Sequence, residues 1–131
     1  MLSRAMKLTV LVALVAGCTY LIAGQASPAV ADFVIKAKSG DRWAPQHSPL
    51  IRRGKDGKAV IKWKNPTRRV HDIKSTNEGK DWFLKRTTLR EGDAKTKTFK
   101  ANGNYHYRCT IHSVKDGGTF VGMVGIVHIR K

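Results

Sequence analysis

The stretch Tyr105-His106-Tyr107-Arg108-Cys109-Thr110-Ile111-His112 decides the reading of this chain. Side chains alternate along a strand, so Tyr105, Tyr107 and Cys109 share one face. Two aromatics ahead of the cysteine mark that face as the core, and His106 then points the other way. Cys109 falls where the strand should end, and His112 follows on a loop. The loop is expected to run from Ser113 to Gly122 and to return through Met123 into a last strand, Val124 to Ile129. One strand end thus offers a thiol, an imidazole and a thioether within a single hairpin-like connection.

The rest of the chain has the texture of short strands broken by turn residues. Phe33 to Lys38 alternates apolar and polar residues, and Ser39-Gly40-Asp41 is a turn signal. Arg52 to Lys58 is a charged loop containing two glycines. In Ala59 to Lys64, Ala59, Ile61 and Trp63 fall on one face and Lys62 and Lys64 on the other, as in a half-buried strand. Asn65-Pro66 ends it. Further strands are expected at Val70 to Lys74 and from Thr96 into Phe99, with a tight turn at Ala101-Asn102-Gly103-Asn104. Residues 76–95 are the least regular, with room for a short helical turn around Trp82. No segment has a helical period of useful length. The pattern predicts a single all-β domain, a sandwich or barrel.

The N-terminus is set apart. Arg4 and Lys7 precede an apolar run from Leu8 to Gly24, and Ala29-Val30-Ala31 is a small-x-small cleavage pattern. Residues 1–31 therefore read as a secretory signal peptide. Two other readings compete. Val15-Ala16-Gly17-Cys18 resembles a lipobox, although the apolar run continues past Cys18. An uncleaved run would be near the lower length limit for a spanning anchor. All three place residues 32–131 outside the cytoplasm, secreted or periplasmic. Two of the 25 lysines and arginines and none of the nine acids lie in the leader, so residues 32–131 keep a net charge of +14. On an exported domain that charge suits an acidic partner protein or an anionic membrane or wall surface better than nucleic acid. Cys109 is the one cysteine and Met123 the one methionine beyond the leader. A lone thiol in an oxidising compartment is a liability unless something occupies it.

A thiolate with two imidazoles and a weak thioether is the ligand set of an electron-transfer copper site. The hairpin supplies three of these, so a second histidine is needed from elsewhere. His71, in Val70-His71-Asp72-Ile73, is the best candidate, and His47 is the one to test if His71 fails. His106 and His128 read as structural or surface residues.

Beyond the leader, the chain resembles the plastocyanin/azurin group of cupredoxins over nearly its whole length. The resemblance rests on Val60-Ile61-Lys62-Trp63-Lys64-Asn65 with His71, then on Lys97-Thr98-Phe99. Gly103 to Cys109, His112 and Gly122-Met123-Val124-Gly125-Ile126-Val127 complete it. It implies a Greek-key β-sandwich over residues 32–131, holding one copper ion through His71, Cys109, His112 and Met123. It also implies an exposed edge of His112 as the electron port, with Ile111, Val114, Phe120 and Val121 as an apolar docking patch. Two features depart from the family. Ten residues separate His112 from Met123, where the family more often has about four. Asp72 stands where the family often has Asn. A carboxylate there would stabilise Cu(II) if it faces the metal and do nothing if it faces solvent.

The function expected is a monomeric, non-enzymatic carrier of single electrons between redox partner proteins. The alternative is copper binding for tolerance or delivery without a redox partner, but a single methionine gives little scope for ligand exchange. A multicopper oxidase needs many histidines, commonly as His-x-His pairs, and this chain has five histidines and no such pair.

Overall fold

The computed structural model describes residues 30–131 apart from 80, 81 and 83. The charged segment and apolar run of the leader lie outside the described residues. Nine strands form two sheets, and no helix occurs among the described residues. The first sheet joins β1 (Phe33–Lys38), β2 (Arg42–Ala44), β4 (Ala59–Lys64) and β7 (Ala94–Phe99) in the order β2-β1-β4-β7. The second joins β3 (His47–Arg52), β5 (His71–Gly79), β6 (Thr87–Leu89), β8 (Gly103–Asp116) and β9 (Thr119–Arg130) in the order β3-β9-β8-β5-β6. Two parallel pairs, β1 with β4 and β3 with β9, make both sheets mixed. Trp82 itself lies in neither a strand nor a helix; its neighbours 80, 81 and 83, on which the expected helical turn would fall, lie outside the described residues.

Alternation builds the core. Ala59, Ile61 and Trp63 of β4 are fully buried, as are Tyr107 and Cys109 of β8. The two inner faces meet through aromatic edges: Trp63 lies 5.3 Å from Tyr107 and Trp43 lies 5.9 Å from it, both edge-on. Such pairs add about 0.5–1.5 kcal/mol beyond their buried area. On β9, Gly125 sits opposite Tyr107. A Cβ there would fall 2.3 Å from the Tyr107 hydroxyl, so glycine makes room for the ring.

The expected loop from Ser113 to Gly122 is instead a β-hairpin. Its two arms pair in strict register: Ser113 with Gly122, Val114 with Val121, Lys115 with Phe120 and Asp116 with Thr119. Gly117 (φ 53°) and Gly118 (φ 92°) close it. A two-residue turn with both φ values positive matches the right-handed twist of the strands, and glycine adopts it at no steric cost. The ten residues between His112 and Met123 therefore form an ordered finger. Alternation places Val114 and Val121 on one of its faces and Lys115 and Phe120 on the other. Phe120 is half-buried under the Arg108 guanidinium, 4.0 Å from its ring centre, and so does not join the expected patch with Val114 and Val121.

Below the finger the register breaks. Arg108 pairs with Val124 and Ser113 with Gly122. Cys109 to His112 thus bulge opposite Met123 alone. A bulge of this kind bends the strand and re-aims its side chains. It is tied off by Ser113, whose hydroxyl donates to the Cys109 carbonyl at 2.5 Å. Gly122 (φ 96°) packs against it so closely that a Cβ would fall 2.6 Å from the His112 carbonyl oxygen. Gly92 has a similar φ of 84° but open space around it. Gly92→Ala should therefore cost about 1 kcal/mol through backbone strain alone, and Gly122→Ala at least about twice that, because a backbone atom must also move. Chemical denaturation of the two variants checks the difference.

Candidate metal centre

The bulge places Cys109 and His112 beside the first residue of β5, His71. The ligand atoms of these three residues all lie within 4.8 Å of one another. His71 Nδ1 is 3.1 Å from His112 Nδ1, and Cys109 Sγ is 3.4 Å from that same His112 nitrogen. Metal–nitrogen bonds of about 2.0 Å at a roughly tetrahedral angle separate two nitrogens by about 3.3 Å, and a metal–sulfur bond of about 2.3 Å puts sulfur about 3.5 Å from nitrogen. The observed spacings match a cage for one ion. His71 and Cys109 are buried. Met123 is fully buried and is the residue of β9 that faces the bulge. His47 is not part of this cluster: it is exposed on β3, its ring 6.2 Å from that of His128.

Each imidazole is held from behind. The far nitrogen of His71, Nε2, is 3.1 Å from the Thr67 hydroxyl. Thr67 in turn donates to Asn65 Oδ1 at 2.7 Å. Asn65 is fully buried, and its amide donates to the carbonyls of Arg69 (2.7 Å) and Leu89 (2.8 Å), which fixes the segment leading into His71. Nε2 of His112 faces Arg69 at 3.2 Å, and Arg69 pairs with Asp41 at 2.6 Å. This ion pair corrects the expectation of an open His112 edge, because the side chain is only 12% exposed. A cation on Nδ1 leaves the ring proton on Nε2, where it needs an acceptor. Asp41 Oδ1 is 3.8 Å from that nitrogen, buried and without a hydrogen-bond partner among the described residues. The donor set fits a metal site, whereas the Arg69 contact to Nε2 suits only an unprotonated Nε2, because a guanidinium can only donate.

Asp72 is fully buried, so the reading in which it faces solvent is set aside. Its carboxylate accepts from the Thr110 N–H, the Thr110 hydroxyl and Arg86 Nε. Its backbone N–H donates to Cys109 Sγ at 3.3 Å. Burial pushes the Asp72 pKa up, but the hydrogen bonds from Thr110, then Arg86 and Cys109, outweigh it and hold the group below its ordinary value. The pair locks residue 72 to residue 110, on either side of two cage residues.

His71 and Cys109 are both uncharged at neutral pH without metal. Burial, and then the neighbouring His112, lower the pKa of His71, so that its imidazole is neutral and free to bind at neutral pH. Burial raises the Cys109 thiol, despite hydrogen bonds to its sulfur from the backbone of Asp72, Ile111 and His112. Without metal the sulfur therefore keeps its proton.

This is the cupredoxin fold: two mixed β-sheets face to face, with a His-Cys-His cluster at a bulge between the last two strands. The purple cupredoxin of Nitrosopumilus maritimus superposes with a TM-score of 0.55 at 23% identity, over 76% of this chain and 100% of that one. The Cu-containing nitrite reductase of Thermus scotoductus SA-01 gives 0.61 at 18% identity, over 82% of this chain and 24% of the reductase. A reduced amicyanin variant gives 0.56 at 20% identity, over 77% and 86%. No protein-family model and no curated protein sequence matches the chain.

Two pH dependences follow. Metal must displace the Cys109 proton, so metal affinity should rise about tenfold per pH unit near neutrality and more steeply once His71 is also protonated. Competition titrations across pH read that slope. The Asp72 contribution is fully present above the unfolded carboxylate value of 3.8 and is lost as pH falls through its lower folded value. Asp72→Asn should therefore flatten the acid limb of the stability curve, measured by denaturation of the metal-free protein.

Proposed function

We propose that residues 32–131 form an exported domain that binds one copper ion through His71, Cys109 and His112, with Met123 as the weak fourth ligand, and that carries single electrons. The observation that carries this reading is the convergence of one sulfur and two imidazole Nδ1 atoms, backed by a buried methionine across the bulge. A thiolate and thioether suit Cu(I), the imidazoles accept Cu(II), and copper bound here would supply one-electron chemistry. This chain's own residues do the rest. Thr67 orients the His71 ring, the Arg69–Asp41 pair covers the His112 ring, Asp72 and Ser113 hold the sulfur's strand in its bent form, and the aromatic core excludes water behind the site.

The electron port on this reading is the His112 edge beneath the Arg69–Asp41 pair. Ile111 (47% exposed), Val114 (66%) and Val121 (41%) offer an apolar contact for a partner protein. The basic surface favours an acidic one. The likeness to purple cupredoxin and amicyanin supports the same reading.

Copper-loaded oxidised protein should show intense thiolate-to-copper absorption in the visible, reversible on one-electron reduction. Cys109→Ser should abolish the band, whereas Met123→Leu should keep it and shift the reduction potential. A colourless wild-type protein in the presence of stoichiometric copper would refute the assignment. The rate of electron exchange with an acidic redox protein should fall steeply between low and physiological ionic strength, and stopped-flow measurement at several salt concentrations checks it.

A further inference from the structure

The second sheet carries a built feature that the metal centre does not use. A cavity of 390 Å³ lies where β5, β8 and the finger meet. Three cations line it, Lys74 of β5, Arg108 of β8 and Lys115 of the finger, together with the ring of Phe120 and the side of buried Thr76. No acid stands among its described lining residues.

Lys74 and Arg108 are direct register partners on neighbouring strands. Like charges in that position repel and destabilise the pair. Three other cations do have a carboxylate neighbour, Arg69 with Asp41, Arg86 with Asp72 and Lys58 with Asp56, although in so basic a chain most have none among the described residues. None of the three cavity cations has a carboxylate partner among the described residues. Arg108 is also held in place, with its guanidinium over the Phe120 ring and Nη1 donating to Ser113 Oγ at 3.1 Å. Three cations gathered in a concave site, one of them pinned, are arranged to receive a multiply charged anion. Arginine supplies planar charge-assisted donors and lysine a point charge, the combination that suits phosphate oxygens.

We propose that this cavity is a binding site for a phosphate-class oxyanion, either free phosphate or the phosphate of a small ester. The site is independent of copper. Its cations belong to the outer face of the sheet, and its affinity does not require the metal centre to be filled.

Calorimetric titration of the purified protein with inorganic phosphate at low salt tests the proposal, in copper-free and copper-loaded form. Saturable one-to-one binding is expected in both. Lys74→Gln and Lys115→Gln remove exposed side chains that the fold does not need, and each should weaken binding about five- to tenfold. Lys36→Gln and Lys38→Gln remove the same charge from exposed positions on the other sheet and should change it less than about twofold. Glycerol phosphate titrated in parallel separates the sources. Equal affinity means that the cavity accepts esters, and weaker affinity means that it selects the free ion; both support the site. The proposal is overturned if phosphate fails to saturate or if the β1 variants weaken binding as much as the cavity variants. It is equally overturned if singly charged acetate binds as tightly as phosphate.

Discussion

Four residues of β8 face one residue of β9, and this mismatch shapes everything at the centre. Cys109 to His112 must bow outward opposite Met123, since Arg108 and Ser113 are both held in register with β9. Below the bulge, Tyr105, Tyr107 and Cys109 keep the inward parity of the core. Within it the parity breaks, Ile111 turns out to solvent, and His112 swings back against Cys109 and His71. Gly122 is the residue that tolerates the resulting approach of backbone to backbone. The cage is thus a consequence of strand registration, rigid because both flanks of the bulge are paired sheet.

Charge is distributed around that cage with consistent local compensation. Asp72 is buried and answered by Arg86; Asp41 is half-buried and answered by Arg69. Both carboxylates sit close to cage residues: Asp72 fixes the backbone at Thr110, and Asp41 holds Arg69 over the His112 ring. Removing Arg86 would leave the buried Asp72 carboxylate short of a partner, which is costly; the more exposed Arg69–Asp41 pair is worth less. The remaining excess of cations is on the surface, where it shapes encounter with partners and the potential of the outer sheet face.

Much of this was legible in the sequence. The β4 alternation of Ala59, Ile61 and Trp63 emerged as core because period-two burial depends only on neighbours along the strand. Cys109 and His112 were legible as a ligand pair in a metal-site pattern, although it is the bulge, not their spacing, that brings thiol and imidazole together. His71 was legible only through the constellation, as the second histidine that the thiol, imidazole and thioether of the hairpin called for, with the resemblance in support. The finger was missed: a run from Ser113 to Gly122 read as a loop, although Gly117-Gly118 between alternating residues is a hairpin signal. Asp41, Thr67, Arg69 and Arg86 were not identified as parts of the site. Their contacts span up to 71 positions of chain in space but only turn residues in sequence, and Asp41 carried no signal beyond its place in the Ser39-Gly40-Asp41 turn. Asp72 was noticed, but its burial depends on Thr110 and Arg86 together, which no single stretch reveals.

The central claim is that one sulfur and two imidazole nitrogens share a single copper ion at the bulge. X-ray absorption at the copper edge of the loaded, oxidised protein tests it most directly. The account predicts one short copper–sulfur bond and two histidine nitrogens in the first coordination sphere. A sphere of nitrogen and oxygen alone, with no sulfur, would contradict it.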